Sequence, residues 1–573
     1  MFKKEQRYSK LAITVVIAGS VLLSLFFKWS NAYPNFMDGD ARDYYSALVS
    51  IFIRHDFTHQ SGSDWYLLHT SSGTVNVHPI GVALLQLPFF LLAWLYSIIA
   101  DTGSDGYSLP FQIAVATAAL VYAGLGLNYL RRLLNLLGFA DALVAGVILL
   151  LYFGTNLLHY TLSEAGMSHV YSFALISSFL FYSARLYKGR KNSDLLKMGL
   201  VLGLILLVRP NNIFILPAAF LWCSSFKDFK VYLKSLFSRP AFYTSAGIAL
   251  VILALQTIVW YVQTGSFLQD TYKRDGFYWL DPQIIKFLFG FDGGFFIYTP
   301  LCLLFIAGLI FTYRSHRFMF FVLSGLLLGL FYFFSSYWAY SYFDGFGIRV
   351  LVDYYGIFGI LAAHLFSGLS ARLYVTGCAA LVFLVMNLIY TYQVNEGIIA
   401  RSGMTFSMWK YVFLKTDAAY RYCLGGSHEL KPYAPQTPAV LDSAAAESDF
   451  DFEGKEFGPV ATSHALPVKT RRLHAEVACS RREKNTGASS EALLVLSVTR
   501  PEKKQAEFYS QFLLNEVPAT SCCESIHYAY TCNLVGEFEK GDQVTAYIWN
   551  RKKAPFLLER LAFKLYNYNY DLN

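Results

Sequence analysis

Charge is scarce in this sequence. Asp, Glu, Lys and Arg make up 15% of its 573 residues, whereas a soluble domain carries roughly a quarter. With 55% hydrophobic residues, that shortage excludes a soluble globular protein. No CxxC pair and no Cys/His run at structural-zinc spacing is present, so neither a redox pair nor a zinc framework is indicated. No internal repeat is visible, although transporters tend to show one. No small-residue cleavage site follows the first apolar run. The Lys3-Lys4 pair and that run therefore read as an uncleaved first helix anchored at Lys28-Trp29, not as a signal peptide.

What is present is unevenly spread. Apolar runs fill the stretch from Leu11 to about Tyr390, while the chain after Leu430 has ordinary polar content. A membrane-crossing helix needs about 20 mostly apolar residues. Such runs occur near 11–28, 108–130, 141–160, 167–186, 240–262, 296–312, 317–335, 350–368 and 371–391. The run 195–225 is too long for one helix and is interrupted at Arg209-Pro210-Asn211-Asn212, which predicts two short helices meeting there.

The net charge of +8 points to no nucleic-acid partner, because its cations lie between apolar runs where the positive-inside rule puts them. With the N-terminus inside and the run 79–100 lying on the outer interface, five basic loops share the cytoplasmic side. These are Arg131-Arg132, Lys188 to Lys191, Lys227 to Arg239, Arg314 to Arg317, and Arg372. The result is a helical polytopic membrane domain of about 11 helices. It is expected in the inner membrane of a bacterium, its C-terminal domain periplasmic.

The expected boundaries are 1–395 for the membrane domain, 396–430 for a linker and 431–573 for the extracytoplasmic domain. In that last part Leu473 to Ala478, Leu493 to Val498, and Val544 to Trp549 alternate or run apolar over strand lengths, punctuated by Gly536, Gly541, Pro501 and Pro555. This predicts an all-β sandwich of jelly-roll type. Cys223, Cys302 and Cys378 lie in apolar runs as packing residues. Cys423, Cys479, Cys522, Cys523 and Cys532 belong to the outer part, where an oxidising space would allow one or two disulfides of undetermined connectivity.

Two long loops then face outward, 30–106 and 261–295, and loops of this length are usually functional. The first begins Met37-Asp38-Gly39-Asp40-Ala41-Arg42-Asp43-Tyr44-Tyr45. Tyr44, Leu48, Ile51, Phe52 and His55 recur at helical spacing, predicting an amphipathic helix in the interface with Asp40 and Asp43 at its start. Carboxylates there also serve as plain helix caps.

His55 and His59 stand four apart, with His69 and His78 following, but no Cys or strong carboxylate ligand accompanies them, and no metal site is assigned. The neighbouring Asp residues are nonetheless able to hold a divalent ion. Aromatics such as Tyr278-Trp279 and Tyr337-Trp338 suit an interfacial belt, or stacking on sugar faces.

These features resemble the GT-C superfamily of membrane glycosyltransferases, in its protein mannosyltransferase and aminoarabinose transferase branch. There the first outward loop opens with an Asp four residues before a Tyr, as Asp40 and Tyr44 stand here. It closes on a Pro-containing motif, whose place is taken by Asn76 to Gly81; the family usually has Lys and two prolines where this chain has His78 and one. Leu207 to Pro210 and Ser341 to Arg349 are further points of likeness.

The resemblance covers roughly residues 1–395. It implies transfer of a sugar from a polyprenyl-phosphate carrier to a lipid or glycan acceptor on the outer side. It further implies Asp40 as general base, then Asp43 and Asp38, and a second acidic residue, Glu164, at the turn 159–169 that also carries His169. Arg349 is the first candidate phosphate ligand, with Arg274 and Lys273 next; Arg209, a charge interrupting an apolar run, either lines the substrate site or holds the broken helix together. Two alternatives stay open: a polysaccharide polymerase or ligase using a diphosphate-linked donor, and a transporter or glycan-binding membrane protein.

Overall fold

The computed structural model describes residues 6–26, 36–37, 39–57, 67–70, 73–103, 105–271, 276–342, 345–369, 373–401, 403–417, 420, 440–446, 448–484, 492–501, 508–514 and 525–567. The chain divides into two compact units, Met1–Thr391 and Tyr392–Asn573. The first is mainly helical, with one antiparallel hairpin of Leu67–Thr70 and Gly73–Asn76, and the second is mostly β.

Among the described residues, seven helices are long and apolar enough to cross a membrane: Arg7–Leu25, Gly81–Ala100, Leu109–Leu137, Pro240–Thr264, Arg317–Ser335, Arg349–Gly368 and Tyr374–Asn395. Gly81–Ala100 meets that standard too, so its placement on the interface rests on the loop charges alone.

Other apolar runs are broken where the backbone requires it. The run 141–160 becomes Asp141–Phe153 and Leu157–Leu162, interrupted at Gly154. The run 296–312 becomes Phe295–Tyr298, Pro300–Ile306 and Gly308–Ser315, because Pro300 has no N–H to continue a helix. Likewise Asn192–Val208 stops before Pro210, and the chain continues as the 3-10 helix Pro210–Phe220.

Small residues bring two of these helices close. Gly203 packs where an added Cβ would lie 2.9 Å from the Ile252 Cβ and 3.0 Å from the Ala249 Cα. One turn earlier Gly199 faces Ser245, whose hydroxyl donates to the Leu195 carbonyl at 2.8 Å. In a membrane, helices associate through such close backbone packing because lipid offers no hydrophobic gain for it. Cys223 and Cys302 are buried as expected, whereas Cys378 is exposed on the outside of its helix.

The second unit contains two antiparallel sheets. One has the order Phe457–Thr462, Gln543–Trp549, Leu493–Thr499, Phe508–Leu513. The other has Val440–Ala445, Phe556–Asn567, Thr470–Glu483, Ser525–Phe538, with Phe450–Asp451 paired to Phe556–Asn567. The three expected strands fall inside Thr470–Glu483, Leu493–Thr499 and Gln543–Trp549. Along the last of these, burial alternates residue by residue, with Val544, Ala546 and Ile548 pointing into the core. Leu494, Leu496 and Val498 join them there with Val477, Tyr530, Phe556 and Phe563. Cys479 and Cys532 are buried in that core, and Cys423, Cys522 and Cys523 lie outside the described residues.

Replacing Gly203 by Leu should force the helices Asn192–Val208 and Pro240–Thr264 apart. Overpacking of this kind costs roughly 1–3 kcal/mol, so thermal unfolding in detergent should begin several degrees lower. An unchanged melting curve would show that the close approach contributes nothing to stability.

Candidate functional site

The acidic segment after the first helix folds as expected into a helix, Asp40–Val49, continued by a π turn at Ser50–Arg54. It starts after Gly39, whose φ of +54° suits glycine, and stops where His55 turns left-handed. It does not lie with one face open, as an interfacial amphipathic helix would. Ala41 and all residues from Asp43 to Val49 are buried, because the chain on either side folds over it. Asn76 Nδ2 donates to the Asp43 carbonyl at 2.9 Å, and the His78 ring packs on Tyr44 with centroids 4.4 Å apart. A narrow cleft beside it is lined by Asp43, Tyr44, Asn76, His78, Gln256 and Gln263.

Asp40 is more than a helix cap. Its Oδ2 lies 2.9 Å from Arg349 Nη2, and both side chains are partly exposed. Arg349 opens a 3-10 turn, Arg349–Tyr354, directly after the glycine-rich segment 345–347. That segment is pinned from the turn near Glu164: Asn156 Nδ2 donates to the Phe346 carbonyl at 2.8 Å, and the Phe346 N–H donates to the Tyr160 hydroxyl at 3.0 Å. Gly345 sits so close that a Cβ would be 3.1 Å from the Tyr160 hydroxyl and 3.3 Å from Arg349 Cδ. Arg349 interacts electrostatically with Asp40, Tyr160, Glu164 and Tyr44. Glu164 Oε1 lies 3.3 Å from His159 Nε2. Gly166 brings this turn against the helix start, where a Cβ would be 2.6 Å from that of Ala41.

A second arginine reaches the same place from the broken helix. Arg209 adopts an extended backbone as the helix ends at Val208, and its Nη1 donates to the Ser168 hydroxyl at 3.2 Å. Its Nε lies 3.5 Å from Oδ2 of Asp353, a fully buried carboxylate. The same Oδ2 accepts from Asn212 Nδ2 at 2.9 Å, and Oδ1 lies 2.8 Å from His169 Nδ1. Tyr44 hydrogen-bonds Ser168 and feels both Arg209 and Arg349; burial pushes its phenol up, so it stays protonated.

Of the residues singled out in the sequence, Asp40, Tyr44, Glu164, His169, Arg209 and Arg349 are thus linked in one network. Asp43 and His78 flank it on the cleft side. Asp38, Lys273, Arg274 and His59 lie outside the described residues. Among the described residues no group of three or more His, Cys, Asp or Glu could hold a metal ion.

Asp353, Asn212, Ser168 and Tyr160 were not singled out. The signal for Asp353 was available: it is an acid at the head of an apolar run, and such residues are expensive unless paired. Its partners were hidden because they lie 141 and 184 positions away. Chemically, two guanidinium groups held by carboxylates can grip a phosphate in place of one of them. A partly exposed carboxylate beside them can accept a proton.

No protein-family model matches the chain, and no curated protein matches it in sequence. Solved structures to which the chain shows some likeness include the oligosaccharyltransferase AglB from Archaeoglobus fulgidus, in complex with an inhibitory peptide and a dolichol-phosphate. It is 12% identical over 71% of this chain and 57% of its own, with a TM-score of 0.39. ArnT from Cupriavidus metallidurans bound to undecaprenyl phosphate is 12% identical over 71% of this chain and 75% of its own, with a TM-score of 0.40. The arabinosyltransferase EmbB from Mycobacterium smegmatis is 10% identical over 97% of this chain and 64% of its own, with a TM-score of 0.38. All three are GT-C glycosyltransferases. The chain spans little more than half the length of the archaeal enzyme.

Removing one partner of a buried ion pair leaves the other charge uncompensated, at a cost of about 3–5 kcal/mol. Asp353→Ala should therefore lower the thermal midpoint markedly. Adding Arg209→Leu should restore part of the loss by removing the stranded cation. If the double variant melts below Asp353→Ala, charge compensation is not what Asp353 supplies.

Proposed function

We propose that the chain is a multi-pass membrane glycosyltransferase that moves a sugar from a polyprenyl-phosphate carrier to a hydroxyl of a lipid or glycan acceptor. The reaction is assigned to the extracytoplasmic face of a bacterial inner membrane, the side given to the β-domain. The observation that carries this reading is the partly exposed Asp40–Arg349 ion pair, 2.9 Å long, with Tyr44, Glu164 and Arg209 around it. Sugar transfer needs a base for the acceptor and a cation for the departing phosphate, both within a few Å of one carbon.

In the step itself, the acceptor oxygen bonds to the anomeric carbon as its proton passes to Asp40. The carbon–oxygen bond to the phosphate breaks, and its electron pair leaves with the phosphate, held by Arg349 and Arg209. No covalent sugar–enzyme species forms, so the anomeric configuration inverts. Glu164 orients the sugar or the acceptor through hydroxyl hydrogen bonds, and the protonated Tyr44 donates one more. Asp43 and Asp38 are the reserve candidates for the base, and Lys273 and Arg274 for further phosphate contacts.

The ion pair links binding to chemistry. A phosphate on Arg349 competes with Asp40 for the same guanidinium, so docking the donor and freeing the base are a single event. A polymerase or ligase with a diphosphate-linked donor would call for a larger cationic surface than two arginines whose charges are already matched by Asp40 and Asp353.

Two variants test this. Asp40→Asn should lower turnover by about 10²–10⁴-fold, the usual contribution of a general base. It should bind undecaprenyl phosphate at least as well as the unaltered protein, since Arg349 loses a competing carboxylate. Arg349→Gln should raise the KM for the donor and leave that for the acceptor within about twofold. Near-normal turnover in Asp40→Asn would move the base elsewhere, and equal changes in both KM values would make Arg349 structural.

A further inference from the structure

The network holds a buried carboxylate that the reaction above does not use. Asp353 lies four residues after Arg349 on the turn Arg349–Tyr354, and its carboxylate meets Arg209, His169 and Asn212. We infer that Asp353 is a positioning residue that holds the Arg209 guanidinium in the phosphate site, so that one short turn sets the spacing of both arginines. The inference rests on the phosphate-binding reading of Arg209 and Arg349.

Three features support it beyond simple charge balance. First, the carboxylate is engaged on both oxygens: Oδ1 lies 2.8 Å from His169 Nδ1, while Oδ2 accepts from Asn212 Nδ2 at 2.9 Å and pairs with Arg209 Nε at 3.5 Å. A carboxylate gripped from three elements cannot swing, and it fixes whatever it holds. Second, it takes the Nε edge of Arg209, while Nη1 is taken by Ser168. The guanidinium plane is therefore set at two of its nitrogens, with Ser168 also bonded to Tyr44.

Third, the two ion pairs differ in exposure. Asp40 is 14% exposed and Asp353 is 0%. A phosphate arriving from outside can compete with Asp40 but cannot reach Asp353. One arginine exchanges its carboxylate for phosphate, and the other keeps its own.

The test is a mutant cycle on affinity for undecaprenyl phosphate, measured with the full-length chain in detergent. Arg209→Gln should weaken binding about tenfold, as expected for losing a charge-assisted contact. Asp353→Asn should weaken it comparably, and the double variant should be no worse than about twofold below Arg209→Gln, because residues acting as one unit are not additive. Asn212→Ala, a milder change, should weaken binding about threefold alone and not at all in the Arg209→Gln background. It serves equally if Asp353→Asn does not fold.

A purely structural Asp353 would lower the melting temperature while folded protein kept its affinity, and that result overturns the inference. So do additive losses in the double variant. Arg349→Gln separates the two levels. If it binds as tightly as the unaltered protein, the phosphate-site reading itself is wrong; if it binds weakly while Asp353→Asn and Asn212→Ala bind normally, only the positioning role fails.

Discussion

A charge in an apolar surrounding survives only with a partner, and that constraint organises the helical unit. Asp353 is fully buried and meets it with Arg209, His169 and Asn212. These four residues come from the 3-10 turn after the glycine segment, the end of one helix, the start of another, and the 3-10 helix after the break. Satisfying one carboxylate therefore ties together the segments that form the candidate site. The close packing of Gly199 and Gly203 on the neighbouring helix and the glycines at 345 and 347 act to the same end, by letting backbones approach where side chains would separate them.

The second pair, Asp40–Arg349, obeys the same electrostatics at a different depth. It bridges the first loop to the glycine segment, with both side chains partly in contact with solvent. A deep pair is costly to open and serves as framework; a shallow one can be exchanged for a ligand of like charge. The chemistry proposed for the site uses that difference, taking proton acceptance and phosphate exchange from the shallow pair and geometry from the deep one. Tyr44 joins the two, since it hydrogen-bonds Ser168 and lies within the fields of both arginines.

The loop helix shows where periodicity stops being informative. Spacing of Tyr44, Leu48, Ile51 and Phe52 located it correctly, because apolar residues at i, i+4 and i+7 must share one face. Periodicity carries no information on what covers the opposite face. The folded chain closes over it with the segment through Asn76 and His78 and with the turn at Gly166, burying Asp43 and Ser46 as well as Tyr44 and Leu48 of the apolar stripe. A polar face then becomes an internal one, supplied with hydrogen bonds by Asn76. In the β unit the same kind of signal went further, since alternation in 544–549 gives both the strand and its buried side when a second sheet covers one face.

Composition and local pattern by themselves determined the membrane class, the switch from helical to β character, the loop helix and the break at Arg209-Pro210. Each depends on residues within a turn or two of one another. They also marked Asp40 among the loop carboxylates and Arg209 as a charge within an apolar run, while Glu164 and the phosphate-binding role of Arg349 came with the family resemblance. Only the tertiary structure decided which charge meets which. Asp40 and Arg349 are 309 positions apart, and Arg209 finds Asp353 rather than any acid near it in the chain. Pairing is settled by how helices pack, and an apolar run carries no mark of the helix it will face.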